Sequence, residues 1–282
     1  VARGILSESE LEKSLDGQRK MFPFGIKESG IDALRFTLCT HNIKQHFISF
    51  DTTDCVTNRN FFNKIFQATK YANGLAETLR VVVKDVKSLE GLELSEMDRW
   101  LLSRLGNMVK TIRHAMDNYN FHIATAALRT FFYDELCNVF VETSKVARLK
   151  KNQESIVNCQ VLHACISEGV EYLEVFAPFL VSELKPCLPS LLDFNPEQFI
   201  DLEVEKRIQN LLEICENIRE MKSECRITRK IPSEIQILIK SPTDEEFLQN
   251  HIENIKALTF TDDLKLTTSS EDFEREDFIG LS

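Results

Sequence analysis

Residues 95–142 read SEMDRWLLSRLGNMVKTIRHAMDNYNFHIATAALRTFFYDELCNVFVE, and the periodicity of this stretch decides the fold class. Ser95 followed by Asp98 resembles a capping box, with Asp where Glu or Gln is usual. From there to about Asn118, Trp100, Leu101, Leu105, Met108, Ile112, Ala115 and Met116 recur at helical spacing. A second helix is predicted over about 121–149, through Ala124, Ala127, Leu128, Phe131, Phe132, Leu136, Phe140 and Val141. Two long amphipathic helices joined by a short polar connection predict antiparallel packing in a bundle.

Toward the C-terminus the same period continues. A third helix is predicted over about 153–176, and Pro178, Pro186 and Pro189 then break the chain into short turns. A further helix over about 203–225 carries Val204, Ile208, Leu211, Cys215, Ile218 and Met221 as one stripe. The period then changes. Residues 234–240 alternate and are β-branched, so they read as a strand. A helix over about 242–256 and short strands near 257–261 and 264–267 complete the reading. Toward the N-terminus, residues 30–41 read as a short, nearly buried helix, 42–56 as extended, and 57–79 as a helix with Phe61, Ile65, Ala68 and Ala72 in register. The expected fold class is mainly α, a helical bundle with a small C-terminal α+β appendage, divided into residues 1–90, 91–228 and 229–282.

An apolar share of 43% in 282 residues excludes a disordered chain, and nine Gly with seven Pro exclude a collagen-like one. No apolar run approaches the roughly 20 residues that cross a bilayer, so no membrane partner is expected. The first residue is Val1, which leaves room for a preceding segment. The eight Cys contain no CxxC pair and mostly fall in apolar helical patterns. They predict reduced, structural thiols and a cytoplasmic setting, a mitochondrial one being the alternative. Cys159 and His163 lie four apart, yet lack a second half, so no metal site is expected. Charge is polarised: residues 1–150 carry 21 Lys+Arg and 18 Asp+Glu, whereas 151–282 carry 13 and 26. The acidic half suits a protein partner. The basic excess in the first half keeps nucleic acid open, because phosphate is felt within about 8–10 Å. The acidic end, 259–282, reads as a solvated tail.

The sequence holds no GxxxxGK[ST] loop, GxGxxG turn, GxSxG elbow or HExxH motif. Its six His pair with no nucleophile at a recognised spacing, so the residues taken alone predict a helical domain without its own active site.

Several strings carry more than composition. Residues 17–40, GQRKMFPFGIKESGIDALRFTLCT, resemble the segment that follows the catalytic core of class I aminoacyl-tRNA synthetases, and FFNKIFQATKYA at 61–72 resembles the valine enzymes more narrowly. MDRWLLSRL at 97–105, residues 119–142, APFLVSEL at 177–184 and ENIREMKSECRI at 216–227 are similar to successive helices of that family's anticodon-binding domain. The resemblance to the valyl-tRNA synthetase family implies a tRNA partner, tRNA(Val) in particular. It implies that residues 1–90 are the tail of a catalytic core with connecting, stem-contact-like helices and that 91–228 hold the anticodon arm. It also implies ATP as a substrate of the full-length enzyme, bound on a catalytic domain whose His-Ile-Gly-His and Lys-Met-Ser-Lys-Ser motifs this chain lacks. No cofactor or catalytic residue is assigned here. The chain departs from the family at Gln45–Asp51, where Gly-Arg-Asp-Ile-Asn-Phe-Asp is typical, and at Phe66, where Trp is usual. Those departures keep an alternative in view: a non-catalytic interaction or RNA-binding protein derived from a divergent paralogue.

The candidate phosphate contacts are Arg99, Arg104, Lys110, Arg113 and Arg129 on the two central helices, with a second basic spot at Arg226, Arg229 and Lys230. Arg99 and Arg113 are fourteen apart and Arg104 is five from Arg99, so one shared stripe is not expected, and a solvated helical face is the plain alternative. Arg35 either steers tRNA or knits its helix to a neighbour by an ion pair. Trp100 either stacks on a base or packs in the core, and its place on an apolar face favours the core.

Overall fold

Asp51 starts the longest helix. In the computed structural model, which describes residues 7–81, 89, 91–150, 152–189, 195–227, 234–239 and 242–267, its side chain accepts a hydrogen bond from the Thr53 amide at 2.8 Å. Helix α3, Thr52–Leu79, therefore begins five residues before the 57 expected, and the extended reading of 42–56 fails from Thr52 onward. The cap satisfies one of the free N-terminal amides, which lets polar Thr52, Thr53 and Asp54 join the first turn. Before it lie α1, Glu8–Met21, and α2, Ile31–Thr40. Ala33 and Phe36 of α2 are buried, but Leu34 and Leu38 are exposed, so α2 is one-sided rather than nearly buried.

The capping box at Ser95 is present, with Ser95 Oγ accepting from the Asp98 amide and Asp98 Oδ2 accepting from the Ser95 amide at 3.1 Å. It opens α4, Glu96–Asp117. The expected single helix over 121–149 is three pieces in one continuous rod: α5, Phe121–Arg129, a π-helical stretch, Thr130–Phe140, and α6, Val141–Lys150. The wider π turn changes the facing rule. Adjacent Phe131 and Phe132 are both fully buried, and Glu135 joins Leu136 and Phe140 inside.

Asn152 and Ser155 form a second capping box that opens α7, Gln153–Leu173. Pro178 does not break the chain; it takes the first turn of α8, Pro178–Leu184, where a missing amide costs nothing. Asp32 of α2 accepts from the Leu180 amide at 2.8 Å and so caps α8 from across the fold. Two 3₁₀ turns, Lys185–Cys187 and Pro196–Phe199, lead to α9, Leu202–Glu224, capped by Asp201.

The appendage contains strand β1, Glu234–Leu238, helices α10, Pro242–Asn250, and α11, Ile252–Thr259, and strand β2, Asp263–Thr267. The strands pair in parallel, Glu234 opposite Asp263 and Leu238 opposite Thr267. The single helix expected over 242–256 is interrupted at His251. The strand expected near 257–261 is the end of α11, closed by Phe260 in the left-handed region (φ 53°). The far end of the acidic tail lies outside the described residues.

One apolar core runs through all of this, from Ala33 and Phe61 through Trp100, Phe132, Ile166 and Leu211 to Ile255 and Leu264. Trp100 is buried in it, as its position on the apolar face implies. Helix α11 packs on α6 and α9. Lys222 of α9 donates to the Thr259 and Phe260 carbonyls at 3.2 and 2.7 Å, closing the C-terminal end of α11. His251 Nε2 meets Glu96 Oε2 at 2.9 Å, at the start of α4.

Candidate nucleic-acid interface

Four of the sequence candidates share α4, and the structure separates them. At 3.6 residues per turn, Arg99, Lys110 and Arg113 fall within about 60° of arc, contrary to the expectation of no common stripe, while Arg104 points elsewhere. The 3₁₀ turn Pro196–Phe199 and the start of α9 lie against the shared face. They bring Glu197 to Arg113 at 2.6 Å and Asp201 to Arg99 at 3.9 Å. Arg113 also donates to the Tyr172 hydroxyl at 2.8 Å, and Arg99 lies 3.8 Å from Glu96. Both keep about half of their side-chain surface in solvent, 51% for Arg113 and 43% for Arg99. Lys110, between them, is exposed and has no ion pair among the described residues.

Gly106 is why the turn comes so close. A Cβ there would meet the Pro196 carbonyl oxygen at 2.6 Å and Ile200 Cγ1 at 2.9 Å.

Arg104 is turned inward. It donates to Glu135 of the π stretch at 2.7 Å and to Glu205 of α9 at 2.9 Å. Glu205 also accepts from Ser103 and Asn107. Burial raises the Glu135 carboxyl above its ordinary range, and the adjacent guanidinium opposes that rise. Arg104 thus braces three elements rather than standing free for phosphate.

Arg129 is half-buried at the end of α5. It donates to Asn58 at 2.9 Å, and Asn58 donates to Thr37 at 2.8 Å, a chain that ties α5 to α3 and α2. Its guanidinium lies 5.5 Å from the Phe61 ring and 5.7 Å from the Tyr133 ring. Arg35 donates to the Val175 carbonyl at 3.2 Å, a packing contact to the turn that follows α7 rather than an ion pair. Arg226 follows α9 in the left-handed region (φ 56°) with its side chain exposed. Arg229 and Lys230 lie outside the described residues.

His163 is accounted for without metal. Its Nδ1 lies 2.9 Å from the Cys159 carbonyl and its Nε2 3.1 Å from the Asn73 amide, and burial lowers its pKa. Both facing atoms are oxygens, the Cys159 carbonyl and Asn73 Oδ1, so a neutral ring donates its single N–H to one of them. Burial pushes the Cys159 thiol up to about 12. Among the described residues, no group of three or more His, Cys, Asp or Glu side chains is arranged to hold a metal, and no helix is long and apolar enough to cross a membrane. All eight cysteines are free; Cys187 and Cys225 are exposed.

Charge counting overlooked one cluster. Lys64 of α3 places its ammonium 3.6 Å from the Tyr133 ring centroid, beside the exposed amides of Asn60, Asn63 and Gln67. The signal available was spacing: 60, 63/64 and 67 share one face of a helix.

The profile of the family described as "Anticodon-binding domain of tRNA ligase" matches residues 98–238, from the first turn of α4 to the last residue of β1. The chain is 37% identical to the valine–tRNA ligase of Rattus norvegicus over 187 residues, 65% of this chain and 14% of that protein. It is 36% identical to the human valine–tRNA ligase over 194 residues, 68% and 15% of the two chains. It is 34% identical to the human mitochondrial valine–tRNA ligase over 187 residues, 66% and 17%. The chain thus spans about a sixth of the length of the curated relatives it matches.

Proposed function

This chain belongs to the anticodon-binding family of tRNA ligases, among the valine enzymes, and from that premise we propose that it grips the anticodon arm of tRNA(Val) for a valine–tRNA ligase. The observation that supports the reading is a coincidence of position. The family match spans α4 to β1, and the exposed cations Arg99, Lys110, Arg113 and Arg226 and the half-buried Arg129 fall within it. In this reading those side chains neutralise phosphates, while Arg104 and Arg35 keep the helices in register. Activation of valine by ATP and its transfer to the tRNA belong to a catalytic domain elsewhere in the enzyme, against which α1 and α2 pack. No residue described here is assigned to ATP. A cytoplasmic setting goes with this reading, although a relative from mitochondria keeps that compartment as the alternative.

The pairing of Arg99 and Arg113 with Asp201 and Glu197 does not oppose it. Exposed ion pairs are worth roughly 0–1 kcal/mol, and a phosphate outcompetes a partly solvated carboxylate at that cost. Anisotropy titrations of the full chain with tRNA(Val) over 50–200 mM salt test the proposal. Affinity that falls log-linearly with salt, with preference for tRNA(Val) over a non-cognate tRNA, is the expected result. No tRNA binding at low salt overturns it in favour of the protein-interaction reading.

A further inference from the structure

Glu96, in the first turn of α4, is shared by three partners from three parts of the fold. Arg207 of α9 lies 2.6 Å from its Oε1, and His251, between α10 and α11, lies 2.9 Å from its Oε2. Arg99, one turn along α4, is left at 3.8 Å. We propose that the docked C-terminal appendage keeps Arg99 available to a phosphate, and that Glu96 is the positioning residue through which it acts. The proposal rests on the reading of the chain as a tRNA-binding protein and adds a control to it. Helices α10 and α11 follow residue 238, where the family match ends.

Occupancy of Glu96 is the first argument. The Asn254 amide nitrogen lies 3.0 Å from His251 Nδ1, so Nδ1 accepts and the Nε2–H is donated to Glu96. The buried His251 ring packs on Phe247, with centroids 4.6 Å apart. The same Phe247 holds Arg207, whose guanidinium carbon lies 4.8 Å from the ring centroid. The appendage thus supplies one close partner of Glu96 directly and orients the other.

The open state of Arg99 is the second. At 3.8 Å from Glu96 and 3.9 Å from Asp201, its guanidinium is beyond hydrogen-bond reach of both. Asp201 is itself committed as the cap of α9, where its Oδ1 accepts from the Val204 amide at 3.1 Å. Arg113, by contrast, donates to both Glu197 and Tyr172. Of these two arginines, Arg99 therefore keeps more of its donors open.

The fallback is the third. Residues three apart on a helix are neighbours, and an acid that precedes a base is the favourable order. With His251 and Arg207 withdrawn, Arg99 is the cation that remains beside Glu96. Side-chain rotation alone closes the gap, and the pair so formed takes one positive charge off the phosphate-facing set.

The test is a double-mutant cycle on the full chain, read as tRNA(Val) affinity and its salt dependence, with a urea melt of each variant. His251→Phe keeps a ring against Phe247 and removes the hydrogen bond to Glu96. Arg207→Gln removes the other close partner at a half-exposed position. Each is expected to weaken binding about fivefold at 100 mM salt and to lower the slope of log affinity against log salt by about 0.7–0.9, the loss of one phosphate contact. Glu96→Gln is expected to bind as tightly as wild type, and in that background neither substitution has a further effect. If His251→Phe does not fold, the Arg207→Gln arm decides alone. Binding within twofold of wild type by the folded variants overturns the proposal and leaves the anticodon-arm reading standing. So does a loss of equal size with and without Glu96→Gln. If the wild-type chain binds no tRNA at low salt, both are overturned.

Discussion

Arg104 Nη1 and Glu205 Oε2 meet at 2.9 Å across the α4–α9 interface, while the other arm of the same guanidinium holds Glu135 at 2.7 Å. One cation thus neutralises two carboxylates that are both mostly shielded from water, at 15% and 12% side-chain exposure. Arg104→Ala leaves both without it. Breaking a shielded ion pair from one side costs about 3–5 kcal/mol. We expect a loss of that order, read as a lower urea midpoint, with Arg104→Lys intermediate because one ammonium cannot serve two carboxylates in a fork. A midpoint unchanged by Arg104→Ala contradicts the bracing role.

Gly106 makes a different demand on the same helix. A methyl group there meets a backbone oxygen, which cannot swing aside as a side chain would. Gly106→Ala should cost about 1–3 kcal/mol by pushing the 196–199 turn off α4. Because that turn carries Glu197, the displacement also releases Arg113. The variant should unfold at lower urea and, in conditions where it is folded, bind tRNA at least as tightly as wild type. Weaker tRNA binding by the folded variant contradicts this account.

The helices with local signals were legible in the sequence. Ser95 and Asp98 announce the start of α4 within four residues, and the structure realises that capping box. Asp51 supplies the same kind of signal for α3, but it follows Phe47, Ile48 and Phe50, whose density suggests a strand; the structure leaves all three exposed. The π stretch was not legible, because a search at 3.6 residues per turn absorbs Phe131, Phe132, Leu136 and Phe140 as a single helix. The inward turn of Arg104 was hidden for another reason: its partners lie 31 and 101 residues away, and no local pattern records them. The cluster beside Lys64 escaped because the side chains of Asn60, Asn63 and Gln67 carry no charge.

Glu168 offers a pH signature. It is buried on α7, and burial raises its pKa from 4.5 to about 7; Glu171 adds to the rise and Arg113 opposes it. The native chain therefore holds a proton that the unfolded chain releases between those two values. The stability that this proton carries is fully present below about pH 4.5 and is lost as pH rises through about 7. Asp98, raised by burial to about 6, acts in the same direction over a lower window. Glu168→Gln keeps the shape and removes the titration. It should stabilise the chain at pH 8 by about 1–2 kcal/mol and flatten the fall in melting temperature between pH 5 and 8. A variant less stable than wild type at pH 8, or one with an unaltered pH slope, argues against burial as the cause.

Lys110 separates binding from folding. It is exposed, lies on the α4 face shared by Arg99 and Arg113, and has no ion pair among the described residues. Its removal should therefore leave the urea midpoint within about 0.5 kcal/mol of wild type, as for most surface substitutions. If its ammonium displaces one counterion from a tRNA phosphate, Lys110→Ala lowers the slope of log affinity against log salt by about 0.7–0.9. Arg104→Ala should show the reverse pattern, a lower midpoint with an unchanged slope, because its guanidinium is held by Glu135 and Glu205. Anisotropy titrations at four salt concentrations and one urea melt per variant distinguish the two patterns. Equal slopes for wild type and Lys110→Ala remove Lys110 from the RNA-contacting face, and a lowered slope for Arg104→Ala puts that side chain on it.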